Sequence, residues 1–261
     1  MKDIIQTMNV TGVREIPGEF PTYSFFYKSD NLKVRGFIIF PKEISNKHPL
    51  VFINRGGTGD VGMFTDENIK HFNFFSKEGY ITVMTQYRGC DGGDGFDRMG
   101  GDDIFDIINL YKIVSELTLI DTDNIGMWGV SRGGMMMFQV ASRVNWIKAM
   151  IAVSPIVDEV DMASWRPGWK EHQEQIYGGS YSEQYKRSPL HWIKNIPKIP
   201  LMFFVGMKDE RINPEKVVEM GKIMDVPVII FPDDGHFISA KTVERSVEFL
   251  NTHLKKNIPT Q

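Results

Sequence analysis

An α/β sandwich, with a mostly parallel twisted sheet covered by helices on both faces, is the fold class this sequence predicts. Three observations predict it. From residue 50 onward, short apolar runs of strand length alternate with segments of helical periodicity, the pattern of strand-helix crossovers. Ahead of them, two stretches alternate apolar and polar residues around Ser29-Asp30-Asn31, the mark of an antiparallel hairpin. Gly129-Val130-Ser131-Arg132-Gly133 then places a serine between glycines, after the apolar Ile125-Gly126-Met127-Trp128 and before a helical pattern. So sharp a strand-to-helix turn forces the serine into a strained conformation and leaves no room for β-carbons beside it.

The elements follow in order. Residues 22–28 and 33–40 form the hairpin, and Leu50-Val51-Phe52-Ile53 is a buried strand. A helix is expected over 66–78, a strand over 80–87, and a helix over 102–117 with Ile104, Ile107, Ile108, Tyr111 and Val114 on one face. Strand 124–128, helix 133–143 and strand 147–153 come next. Strand 201–205, helix 214–224, strand 226–231 and helix 240–255 complete the series. Residues 155–198 break the alternation with three tryptophans and three tyrosines beside Asp158, Glu159 and Asp161. Inserted after a strand whose C-terminal end borders the expected site, this stretch reads as a lid or cap within one domain spanning 1–261.

Composition narrows the function. With 42% hydrophobic and 24% charged residues, the chain is of ordinary globular type, and a net charge of -3 supplies no basic field for nucleic acid. No apolar stretch reaches the ~20 residues that cross a bilayer, and the N-terminus lacks the apolar core of a signal peptide. The single cysteine, Cys90, fits a reducing cytoplasm and reads as a loop or core thiol. No zinc or P-loop pattern occurs, and no cofactor is expected.

A serine hydroxyl needs a base, an acid to orient that base, and donors for the charge of a tetrahedral intermediate. Ser131 is the candidate nucleophile. Among six histidines, His236 alone sits in a turn between a buried strand and the last long helix. Asp209 follows strand 201–205, with Glu210 as its neighbour and Asp233 and Asp234 as weaker competitors. The order Ser131, Asp209, His236 is the nucleophile, acid, base order of α/β-hydrolases. The oxyanion donors are expected from the backbone of Arg132 and from Gly56 or Gly57 after the strand at 50–53. Gly57-x-Gly59-x-x-Gly62 matches a dinucleotide fingerprint, but the next strand ends in Tyr87-Arg88 with no acid for a ribose. Asp121 to Arg132 departs from a calcium loop at its fifth and twelfth positions, and Asp102 or Asp103 is expected to cap the following helix.

Taken together, Tyr87-Arg88-Gly89, the segment 100–106, the elbow at 129–134, Tyr185-Lys186-Arg187-Ser188-Pro189-Leu190 before Ile199-Pro200-Leu201, the loop 206–209 and Gly235-His236 resemble the catalytic domain of the prolyl oligopeptidase family of serine hydrolases. The resemblance spans roughly residues 20–255. It implies an α/β-hydrolase fold, Ser131 as nucleophile, His236 as base, Asp209 as its partner, and cleavage of an ester or amide through an acyl-enzyme. Oligopeptidases of the family carry a propeller that screens substrates, whereas fewer than 50 residues precede the first core strand here. Small esters or short acylated or peptidic amides are therefore the expected substrates; the alternatives are an oligopeptidase, an aminopeptidase using Asp158, Glu159 or Asp161 for an ammonium, and a non-catalytic binding protein on the same fold. The family often has a histidine or tyrosine before its paired glycines; Arg55 stands there instead. Arg55, Tyr87, Trp165 and Trp169 are the expected substrate contacts, with the loop at 91–97 in reserve.

Overall fold

The computed structural model describes residues 1–44, 47–236 and 239–255. A short helix α1 (Lys2–Ile5) leads into three antiparallel strands, β1 (Val10–Ile16), β2 (Thr22–Ser29) and β3 (Leu32–Ile39). Strand β1 has no sequence signal because it is an outer strand, mostly solvated on both faces, with its register broken between Thr11 and Arg14. The hairpin β2–β3 pairs from Thr22 opposite Ile39 to Ser29 opposite Leu32.

The remaining chain winds as β4 (His48–Asn54), β5 (Ile81–Thr85), α2 (Ile104–Val114), β6 (Ile120–Val130), α3 (Arg132–Ala141) and β7 (Ala149–Val153). Helices α4 (Glu159–Trp165), α5 (Trp169–Tyr177) and α6 (Tyr181–Lys186) follow, then β8 (Leu201–Gly206), α7 (Pro214–Met224), β9 (Val228–Phe231) and α8 (Ala240–Leu254). Among the described residues the sheet has nine strands in the order β1-β2-β3-β5-β4-β6-β7-β8-β9, with β5 through β9 mutually parallel. The central strands read as continuous apolar runs because both faces are covered. Leu50, Phe52 and Met127 pack with α2, α3 and α7 on one side, and Val51, Ile53 and Trp128 pack with α8 on the other.

The strand order reverses between β4 and β6, so their carboxyl ends open a crevice with no crossover above it. Asn54 lies opposite Gly129 there, bringing the loop after β4 against the turn after β6. Ligand chemistry in such sheets belongs at this point.

Two expectations fail. In place of the helix over 66–78 the chain makes two 3-10 turns, Ile69–Phe72 and Ser76–Glu78. Adjacent Phe74 and Phe75 are both needed against the sheet, Phe74 on Trp128 and Phe75 on Tyr80, which one helical face does not permit. Asp103 does precede α2, but its side chain makes no cap bond. It accepts instead from the Gly100 N–H at 3.0 Å and pairs with Arg132.

Within the segment 155–198, the buried carboxylate of Glu159 ties α4 to α5. Its Oε2 accepts from Trp169 Nε1 at 2.9 Å, Gln173 Nε2 at 2.6 Å and the Tyr177 hydroxyl at 2.9 Å. Burial raises this carboxyl above the usual carboxylate range, against the pull of those donors. Arg187 stacks on Tyr177 and donates to the Met99 and Arg98 carbonyls, fastening the segment to the loop before α2.

Candidate active site

Ser131 has φ +56°, a left-handed conformation for a residue with a β-carbon. The surrounding glycines explain why the chain tolerates it. A β-carbon on Gly133 would lie 2.0 Å from the Asn54 carbonyl oxygen, and one on Gly129 would lie 2.7 Å from the Gly133 backbone. The turn is therefore closed against the end of β4 at van der Waals distance. The Ser131 N–H bonds the Val153 carbonyl at 2.9 Å, which holds the elbow to β7. Arg132 opens α3, so its own N–H has no carbonyl one turn earlier to bond.

The loop after β4 presses on the serine. A β-carbon on Gly56 would meet Ser131 Cβ at 3.2 Å and Oγ at 3.8 Å, so the backbone here lies close to the hydroxyl. Gly57, at φ +72°, has equally little room, since its β-carbon would fall 2.0 Å from the Val61 carbonyl.

His236 and Asp209 come from the loops after β9 and β8. The His236 Nδ1 to Asp209 Oδ2 separation is 2.7 Å. The carboxylate only accepts, so Nδ1 carries the proton and Nε2 is left as the acceptor. Asp209 is buried, and its Oδ1 accepts from the Arg211 and Ile212 N–H groups at 2.8 and 3.1 Å. Gly206 makes the meeting possible, because a β-carbon there would sit 2.4 Å from the Asp234 and Gly235 carbonyls. Asp233 is exposed and pairs with Lys208 at 2.7 Å.

Ser131, His236, Gly56, Gly57 and Arg132 border one cavity of about 520 Å3. Val61, Phe72, Ile156, Met162 and Ile212 give it an apolar lining. Trp169 lines it too, with its ring beside His172 at 4.6 Å. Burial and then Arg166 push His172 below the usual histidine value.

Three expected substrate contacts need correction. Tyr87 is fully buried and does not reach the cavity: its ring is clamped between Arg55, 5.1 Å from the centroid, and Arg132, at 4.6 Å. Arg55 borders the cavity, but its guanidinium turns inward to the carbonyls of Gly56, Gly59, Val61 and Gln86 at 2.8–3.2 Å. Trp165 is 40% exposed and lies outside the lining. The acids proposed for an ammonium are also engaged elsewhere. Asp158 caps α4 and contacts His191, Asp161 accepts from Asn213, and Glu159 is the buried anchor.

Beneath the elbow lies a network that the motif does not announce. Arg132 makes a bidentate pair with Asp97, both contacts at 2.6 Å, and also pairs with Asp103. Burial would lower the Arg132 guanidinium and raise the Asp97 carboxyl; their mutual attraction outweighs it, and Asp97 stays below the usual carboxylate range. The same pair grips the loop after β4. Arg132 donates to the Gly57 carbonyl at 2.9 Å, and Asp97 accepts from the Gly59 N–H at 2.8 Å. The only sequence signal was the acid-rich loop at 91–97. Cys90, buried against Arg55, is pushed up to about 11 by burial and behaves as a packing thiol.

The prolyl oligopeptidase family model matches residues 67–257, nearly three quarters of the chain. The chain belongs to the prolyl oligopeptidase family. It is a serine hydrolase by that membership. It is 26% identical over 252 residues to the uncharacterized peptidase YtmA of Bacillus subtilis, covering 89% of this chain and 93% of that protein. An acylaminoacyl peptidase of Pyrococcus horikoshii superposes with a TM-score of 0.77 at 22% identity over 93% of this chain, which spans only 43% of that protein. Acetyl xylan esterase 1 from Thermoanaerobacterium sp. superposes with a TM-score of 0.71 at 16% identity, covering 95% of this chain and 90% of the esterase. These two likenesses establish the α/β-hydrolase fold. No helix among the described residues is long and apolar enough to cross a membrane.

Proposed function

We propose that the chain hydrolyses small esters or short acylated or peptidic amides, with Ser131 as nucleophile, His236 as base and Asp209 as the orienting acid. The observation that carries this reading is the Asp209–His236 hydrogen bond at 2.7 Å, which leaves Nε2 as an acceptor in the cavity that holds the strained Ser131. Ser131 Oγ attacks the carbonyl carbon as His236 takes its proton; the imidazolium then protonates the leaving alcohol or amine. Water, activated by the same imidazole, attacks the acyl-enzyme, and the acid product leaves as Ser131 regains its proton.

The oxyanion is stabilised by the Arg132 N–H and a backbone N–H of the Gly56-Gly57 turn. Arg55 and Arg132 orient that turn by binding the Gly56 and Gly57 carbonyls, since in a trans peptide the N–H faces away from its carbonyl oxygen. Arg55 thus serves the oxyanion site through the backbone. The segment 155–198 acts as the lid, supplying Ile156, Met162 and Trp169 to the wall. The aminopeptidase reading has less support, because no Asp or Glu is among the described residues lining the cavity.

A panel of p-nitrophenyl esters and aminoacyl or acyl-peptidyl p-nitroanilides tests the proposal. The reading expects ester turnover and, for short amides, turnover of N-acylated in preference to free-amine substrates. Ser131→Ala should abolish both. Turnover confined to free-amine anilides would favour the aminopeptidase.

A further inference from the structure

The cavity wall contributed by the lid and the loop after β8 carries two arginines. Arg166 and Arg211 both line it, together with His172. Arg166 is half-buried and lies over the Trp169 ring at 4.5 Å, a contact that orients a guanidinium without neutralising it. No carboxylate pairs with Arg166 among the described residues. The acids whose charge reaches it are Asp209 and Glu159, and both are committed, Asp209 to His236 and two backbone N–H groups, Glu159 to its three donors in the lid.

We propose that the cavity selects substrates carrying a carboxylate near the scissile bond, with Arg166 as the specificity-determining cation and Arg211 beside it. The proposal rests on the hydrolase reading and names its substrate class. Burial and then the neighbouring Arg211 hold Arg166 below the usual guanidinium value. An anion bound at Arg166 supplies the missing counter-charge and gains charge-assisted hydrogen bonds, which are strengthened where water is scarce. An ammonium in the same place gains nothing. The carboxylate can belong to the acyl group, as in a dicarboxylic half-ester, or to the leaving group, as in the free C-terminus of a short acyl-peptide. Both place one negative charge within a cavity of about 520 Å3, large enough for either.

Two matched pairs separate these sources. On the acyl side, p-nitrophenyl hemi-adipate is compared with p-nitrophenyl hexanoate. On the leaving side, N-acetyl-alanyl-alanine is compared with its C-terminal amide. The wild type is expected to favour the anionic member of at least one pair by about tenfold or more in kcat/KM, mainly through KM. In Arg166→Gln that ratio should fall to near one, and Arg166→Lys, which keeps the charge without the planar fork, should restore part of it. Melting curves of both variants establish that they fold. Wild-type ratios near or below one in both pairs, with Ser131 still labelled by a fluorophosphonate, overturn the proposal and leave the hydrolase reading standing. If no substrate turns over, calorimetry of N-acetyl-alanyl-alanine against its amide on Ser131→Ala protein decides the anion site alone. Tighter binding of the acid, lost in Arg166→Gln, upholds it, and equal binding overturns it.

Discussion

Among the described residues four arginines border the same cavity, two in its floor and two in its wall. Arg55 and Arg132 lie in the floor, almost wholly buried, their guanidiniums stacked on Tyr87 and saturated by carbonyls, Asp97 and Asp103. Arg166 and Arg211 lie in the wall, half-buried and exposed, and Arg166 has only an aromatic ring beneath it. The floor pair shapes backbone: it fixes the turn against which Ser131 sits. Arg166 borders the cavity with no carboxylate partner among the described residues. Where carboxylates and carbonyls saturate it, as at Arg132, the guanidinium is scaffold, whereas at Arg166 it meets an aromatic ring alone among the described residues.

The contrast breaks most visibly on stability. Arg132→Met should remove about 3–5 kcal/mol, because it strands two buried carboxylates without their cation. Urea denaturation reads this directly. A loss below about 1 kcal/mol would mean that water or another cation already shares the load, and the floor would not be the rigid element described. Trp169→Ala should cost a similar amount, about 3–5 kcal/mol, since its indole both fills the wall and bonds Glu159. Trp165→Ala, at an exposed position outside the cavity, should change stability and KM little.

Gly133→Ala tests the elbow's closeness from the backbone side. The added methyl meets the Asn54 carbonyl, so about 1–3 kcal/mol of stability should be lost along with activity. Arg166→Gln should shift stability by no more than about 1 kcal/mol, the upper range of an exposed cation–π contact. Comparable losses in Arg166→Gln and Arg132→Met would erase the distinction between wall and floor.

Acid titration gives a finer test. Arg132 keeps Asp97 ionised to lower pH in the folded protein than in the unfolded chain. Its stabilising contribution is therefore complete above the ordinary carboxylate range, near pH 4, and is lost as pH falls through the folded value. Asp97→Asn should flatten the acid limb of the stability profile. Cys90 should show the smallest signal, with negligible iodoacetamide modification at pH 8 in folded protein and ready reaction once denatured, as its raised thiol value and burial require.

What the sequence made legible follows the same division. Parallel strands buried on both faces announce themselves as apolar runs, and the elbow announces itself because steric closure demands glycine at fixed offsets from Ser131. That Asp209 and His236 meet was legible because each follows a strand at the crevice edge. The partners of Arg132 were not, since Asp97 and Asp103 lie 35 and 29 residues away and meet it only when the loop folds under α3. The pairing also hid the true role of Asp103, which local pattern assigns to a helix cap. Side-chain direction was equally silent: Arg55, Tyr87 and Trp165 occupy the right segments, but nothing local tells which way a guanidinium or ring turns.

The most direct test of the account is fluorophosphonate labelling followed by peptide mass analysis. The wild type should take one adduct, on Ser131, and Asp209→Asn should slow that labelling by about 10⁴, because the amide favours the wrong imidazole tautomer. A folded wild type that takes no adduct on Ser131, or an Asp209→Asn variant labelled as fast as the wild type, would contradict it.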